Sequence, residues 1–193
     1  MDTHLLLKEL QAKHDFSTEE FSRLIELFEK HRFKKNEIIF QSGDVVKQTY
    51  FVLKGILRQY YVSPEGADRT IYFAEEGAWA AELMSFLHYI PTNLNLQALE
   101  DTDVIFLNRK NWEIAITTIP AFTMYHLKNH QRIIVKLKEE VGRAVNETPD
   151  EKYRRLVKEK PHLLQRLPQY QIATYLGVTP ETLSRIRKRN TML

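Results

Sequence analysis

At 193 residues, with 43% hydrophobic and 27% charged residues, the chain has the composition of a folded protein of one large domain or two small ones. It has no cysteine, which excludes disulfides, thiolate zinc sites, cysteine-ligated iron–sulfur clusters and thiol redox sensing. The net charge of +3 is unevenly placed: residues 1–150 hold 18 Lys+Arg against 22 Asp+Glu, a net of −4, while residues 151–193 hold 10 against 3, a net of +7. A mildly acidic body with a basic C-terminal segment is the footprint of a nucleic-acid binder. No apolar run is long enough for a membrane span, and the start Met-Asp-Thr-His lacks the order of a secretory signal. A cytoplasmic protein without membrane attachment is therefore expected.

Residues 3–30 read as helical. Ser17-Thr-Glu-Glu20 has the form of a capping box, and Phe21, Leu24, Ile25 and Phe28 follow at helical spacing as a core stripe. From about residue 32 to 108 the pattern changes to short β-type runs: 37–40, 49–53, 56–62, 70–73, 94–98 and 104–107. Gly43, Gly55, Gly66 and Gly77 punctuate them at spacings of 12, 11 and 11 residues, a rhythm that predicts an antiparallel sandwich or barrel.

Helix is expected again from about 109 to 147, with Pro120 near the start of a long segment. Leu127, His130, Ile134, Leu137, Val141 and Ala144 recur at three and four residues, a heptad seam widened by Ile133, and they predict a dimer contact. Asn146-Glu-Thr-Pro149 breaks the helix and marks a boundary. The expected division is therefore 1–118, 119–147 and 148–193.

The last stretch, Gln169 to Arg189, has the spacing of a helix-turn-helix. Ile172, Leu176, Val178, Leu183 and Ile186 are its apolar positions, and Ala173 is small where two helices cross. Gly177 falls at the turn, Thr179 at the cap of the second helix and Pro180 at its first position. That helix would carry Glu181, Thr182, Ser184, Arg185, Arg187, Lys188 and Arg189 outward, where base edges and phosphates accept and donate hydrogen bonds. Glu181 and Arg185, four residues apart, share a face. An arginine bonds guanine O6 and N7 together and a glutamate accepts from cytosine N4, so the pair is expected to read a G·C base pair. Thr182 and Ser184 suit a thymine methyl or a phosphate. Arg187, Lys188, Arg189 and the helix start Gln169–Gln171 suit phosphates.

Strands with glycine spacing, then a long helix, then a helix-turn-helix resemble the Crp/Fnr family of transcription regulators over nearly the whole chain. The residues that carry the resemblance are Gly43-Asp44, Tyr50-Phe-Val-Leu-Lys-Gly55, Gly77 with Glu82-Leu83, Ala98-Leu-Glu-Asp101, and Ala173 to Arg189, with Glu181-Thr-Leu-Ser-Arg185 the most specific. The resemblance implies an α+β protein. It would have an N-terminal antiparallel β-roll (a double-stranded β-helix, jelly-roll-like) with flanking helices, a long dimerisation helix, and a C-terminal helical winged-helix/helix-turn-helix domain. It implies a homodimer on an inverted repeat of double-stranded DNA, a small-molecule effector of unknown identity and, as in many members, contact with RNA polymerase.

Two departures from the family pattern stand out. Cyclic-nucleotide-binding members hold their ligand with a Gly-Glu pair before a short helix and an Arg-Ser/Thr-Ala triplet after it. Here the pair is Ala81-Glu82 and the triplet Thr92-Asn93-Leu94, so the phosphate-binding arginine is absent. Loss of one partner of a buried charged pair costs about 3–5 kcal/mol, roughly a 100- to 4000-fold loss of affinity. Binding of cyclic AMP or cyclic GMP in the family's manner is therefore not expected. Lys54, Arg58 and Arg69 are the cations on other strands able to replace the charge. The second departure is Pro180, where several members carry a base-reading arginine; one fewer position, or a different one, should be read.

Other chemistry is thinly represented. A haem or a cupin-like metal centre needs histidine, and of His4, His14, His31, His88, His126, His130 and His162 only His88 lies within residues 32–108. No Ser/His/Asp order or phosphate loop is recognisable. The expectation is a protein that is not an enzyme, without cofactor or metal. A cupin-like metal-dependent enzyme, or a ligand-binding module without DNA function, is the alternative.

Overall fold

The computed structural model describes residues 3–191, Thr191 by its backbone only. Ser17 starts the second of two N-terminal helices, α1 (His4–Gln11) and α2 (Thr18–Glu26). Its hydroxyl accepts from the Glu20 N–H at 3.1 Å, and its own N–H donates to the Glu20 carboxylate at 3.0 Å, the expected capping box. The helical reading of residues 3–30 runs too far at its end. Residues Glu29–Phe33 form strand β1, which pairs antiparallel with β8 (Thr102–Asn108) from Glu29 opposite Phe106 to Phe33 opposite Thr102. Only Phe33 of that strand is buried, so it has no apolar alternation to announce it.

The other strands are β2 (Ile38–Phe40), β3 (Gln48–Lys54), β4 (Leu57–Val62), β5 (Asp68–Ala74), the two-residue β6 (Trp79–Ala80) and β7 (Asn95–Ala98). They make two four-stranded sheets, in the orders β1-β8-β3-β6 and β2-β7-β4-β5. The pairs β3–β8, β3–β6 and β2–β7 are antiparallel, as the sequence predicts. Gly55 shows why one turn needs glycine: φ is +101°, and a Cβ would stand 2.5 Å from Thr102 Oγ1 and 2.8 Å from Thr102 Cα.

Between β6 and β7 lies the short helix α3 (Leu83–His88), and after β8 come α4 (Arg109–Thr118) and α5 (Pro120–Asn146). Leu6, Leu10, Leu24, Phe51, Ile105, Phe122 and Tyr125 form one core with Trp79 packed against it. The Trp79 Nε1–H donates to Tyr125 Oη at 2.8 Å, and Tyr125 donates to Glu9 at 3.2 Å. The first turns of α5 are thus anchored by Ala121, Phe122 and Tyr125, whereas residues 131–139 are all exposed.

Four further helices follow: α6 (Pro149–Glu159), α7 (Pro161–Arg166), α8 (Gln169–Leu176) and α9 (Pro180–Thr191). Thr148 caps α6 in a second capping box with Glu151. Packing divides the chain into two compact units, one of residues 1–59 and 73–136, the other of residues 60–72 and 137–193. The tip of the β4–β5 hairpin therefore groups with the C-terminal helices, and α5 belongs partly to each unit. Among the described residues after β8 there are only helices, so the wing implied by the resemblance is absent there.

Candidate nucleic-acid interface

The C-terminal helices are held by a small apolar core: Tyr153, Leu156, Leu163, Leu167, Ile172, Ala173, Leu176, Leu183 and Ile186 are all buried. Four of the five apolar positions read from the spacing lie in it; Val178 is half-buried. Helix α8 ends at Gly177, φ +73°, and the Val178 N–H closes back on the Ala173 carbonyl at 3.0 Å. This left-handed ending costs glycine no Cβ clash. Two residues on, the Thr179 hydroxyl accepts from the Thr182 N–H at 3.3 Å, and Pro180 opens α9.

With Leu183 and Ile186 facing inward, helical geometry turns Glu181, Ser184, Arg185, Arg187, Lys188 and Arg189 to solvent, with Thr182 half-buried. The Glu181 carboxyl is held below its usual range, first by its own backbone N–H, then by the Thr179 hydroxyl and by the Arg185 charge. Arg185 donates to Thr182 Oγ1 at 3.4 Å. The face therefore presents an ionised acceptor one turn before a five-donor cation.

Two expected contact residues sit otherwise. Gln171 is 3% exposed, and its Oε1 has no hydrogen-bond partner among the described residues. Its side chain points into the helical core, because the buried face of α8 spans three consecutive residues, 171–173, and not only the apolar ones. Gln169, by contrast, is exposed at the helix start. Arg189 is exposed but bound: its Nη2 donates to Asp150 of α6 at 2.9 Å.

Sequence reasoning missed two features of this unit. Arg155 on α6 grips Glu147 through Nε and Nη2 at 3.0 and 2.9 Å and reaches Glu140 of α5 at 3.4 Å. Its partners lie 8 and 15 residues away across a chain reversal, beyond any local spacing rule. Thr70, near the β4–β5 tip, shares a 2.7 Å hydrogen bond with Thr174 of α8.

The cassette at 81–93 behaves differently. The Glu82 carboxylate accepts from the Ser85 N–H at 2.7 Å, capping α3. The Ala81 carbonyl accepts from the Gln59 Nε2–H at 3.1 Å, bringing in a buried β4 residue not foreseen from the sequence. Thr92 is buried, its carbonyl accepts from the Gly43 N–H and its N–H donates to the Asp44 carbonyl, and its hydroxyl accepts from the Leu94 N–H at 3.0 Å. Asn93 is exposed. The hydroxyl and the carboxylate are thus engaged in local turns. Of the three cations considered as replacements, Lys54 and Arg69 are exposed and Arg58 is 2% exposed.

On α5, Leu127, Ile134, Leu137 and Val141 are each more than half exposed, and Ile133, Val135 and Val145 enlarge the apolar stripe; His130 is half-buried. Among the described residues, no helix is long and apolar enough to cross a membrane and no group of three His, Asp or Glu could hold a metal.

Residues 30–118 match the family described as the cyclic nucleotide-binding domain. Among solved structures, the catabolite activator protein of Thermus thermophilus is similar at 21% identity and a TM-score of 0.61, over 95% of this chain and 87% of that one. A CooA mutant from Carboxydothermus hydrogenoformans is similar at 19% identity and 0.69, over 96% and 84%. The c-di-GMP responsive global regulator CLP of Xanthomonas campestris is similar at 12% identity and 0.70, over 91% and 92%. At these identities the likeness establishes a shared α+β fold. No curated protein matches the chain by sequence.

Proposed function

We propose that the chain is a homodimeric, sequence-specific DNA-binding transcription regulator, cytoplasmic and without catalytic activity, in which residues 1–118 sense, 119–147 dimerise and 148–193 bind DNA. One observation carries this reading: α9 is capped at Thr179, pinned by Leu183 and Ile186, and turns Glu181, Ser184, Arg185, Arg187 and Lys188 to solvent on one basic surface. As the second helix of a helix-turn-helix it would enter the major groove, with Glu181 and Arg185 on base edges and Arg187, Lys188 and Gln169 on phosphates. The exposed apolar stripe of α5 supports dimerisation, since water-exposed Leu and Val at heptad spacing gain by burial against a second copy. Two recognition helices related by a two-fold axis read half-sites about 34 Å apart. RNA polymerase is a further partner on the same reading.

The relatives' descriptions speak of catabolite activation and of c-di-GMP response in those proteins. In this chain the local use of Glu82 and Thr92, and the loss of the arginine, support a sensor that does not hold a cyclic phosphate in the usual cassette. Mobility-shift titration with DNA upstream of the protein's own coding region, against random DNA of the same length, tests the output. A preference for the specific duplex that weakens steeply with salt is expected; equal affinity for both duplexes at every salt concentration refutes it. Calorimetry with cyclic AMP tests the sensor, and micromolar binding at one nucleotide per chain overturns that part.

A further inference from the structure

His126 is half-buried, and both of its ring nitrogens are buried with no hydrogen-bond partner among the described residues. Its surroundings are aromatic: Phe122 stands 4.5 Å away, Tyr125 5.6 Å and Trp112 5.8 Å, measured between ring centroids. A buried polar group without a partner costs free energy that a phenylalanine at the same place would avoid. Orphaned polar atoms of this kind commonly mark a bound water, an ion or a functional task. One turn further along α5 lies His130, its ring centroid 5.5 Å from that of His126. Positions four apart share a helix face, and two imidazoles at this spacing can reach one ion.

We propose that His126 and His130 form a two-imidazole site for a divalent transition metal of the zinc, nickel and copper class. Neutral imidazole is the ligand these ions share, with metal–nitrogen distances of about 2.0–2.1 Å for zinc. The chain supplies no thiolate. The His14 imidazole has its Nδ1 3.2 Å from Lys128 Nζ of α5. With two protein ligands and remaining positions for water, the site is of the open, exchangeable kind and not a closed structural one. The aromatic walls exclude water from one side and fix the His126 ring, and half-buried His130, one turn on, completes the pair.

The test uses the full chain, made without a histidine tag and stripped of metal, titrated with nickel(II) and zinc(II) by calorimetry. One ion per chain is expected, with a copper(II) resonance spectrum showing coupling to two imidazole nitrogens. His130→Ala should weaken binding at least about tenfold, and His88→Ala, far along the chain on α3, should leave it unchanged. Because His130 is only half-buried, the His130→Ala protein is expected to keep its circular dichroism, so loss of binding reads the site and not the fold. Binding that survives His130→Ala within about twofold, or one ion per two chains, overturns the proposal.

Discussion

The cassette at 81–93 and the helix pair at 169–189 are built on opposite plans. In the helix pair, apolar side chains and a cap do the structural work, and the polar side chains are left outward for a partner. Leu183 and Ile186 go inward, Thr179 starts the helix, and Glu181 and Arg185 share the solvent face. In the cassette the polar side chains are themselves structural: Glu82 caps α3 and Thr92 bridges its own turn. A retained residue type therefore does not imply a retained role. A carboxylate accepting a backbone N–H is partly satisfied before any ligand arrives.

This contrast is broken most directly at the core of the helix pair. Leu183→Ala should cost about 2–5 kcal/mol, unfold the C-terminal helices in thermal melts, and abolish DNA binding without changing the near-ultraviolet signal of the β-strand unit. A variant that melts like the parent would mean that α9 is not held by this core.

Acid should destabilise the unit that holds His126. His126 in the folded chain is pushed down to about 4, by burial and then by the charge of His130. Its ordinary value is near 6.5, so between these limits the unfolded chain holds more protons. The stability present above pH 6.5 is then lost as the pH falls toward 4, by up to about 3 kcal/mol. Denaturant melts at pH 7 and pH 4.5 should show the loss in the parent, and His126→Phe should flatten it. An unchanged pH slope in that variant would place the acid sensitivity elsewhere.

Arg185→Ala is expected to relax specificity at one base pair by about 1–3 kcal/mol, read by competition among single-base operator variants. Lys188→Ala should instead weaken binding to all sequences alike and reduce the salt slope by about one unit. Identical behaviour of the two variants would erase the assigned difference between reader and anchor. Smallest of all, Glu82→Ala should lower the stability of the β-strand unit by about 1 kcal/mol, the usual cost of a lost helix cap. A larger loss, or loss of DNA response with stability intact, would make Glu82 more than a cap.

Local rules made much of this protein legible. The Ser17 capping box, the glycine-punctuated strands, the break before Pro149 and the Gly177 turn each depend on residues within about four positions of one another. The features that escaped depend on distant partners. Strand β1 exists because β8 offers it a ladder, not because Glu29 to Arg32 prefer one. The grip of Arg155 on Glu147 and Glu140 joins residues across a chain reversal. Gln171 reads as polar and hence outward, but the helices around α8 cover three consecutive positions.

By itself, then, the sequence determined the starts of α2 and α9 and the turn at Gly177, which of their faces are apolar, and that α9 would carry a basic surface, because capping, turn and periodicity preferences act over single turns of chain. Only the tertiary structure decided which polar groups remain for a partner. It tied Glu82 and Thr92 to local bonds, buried Gln171, left Glu181, Arg185 and the apolar stripe of α5 in water, and set the ring nitrogens of His126 among aromatic rings. Burial is set by what packs against a residue, and that depends on the whole fold.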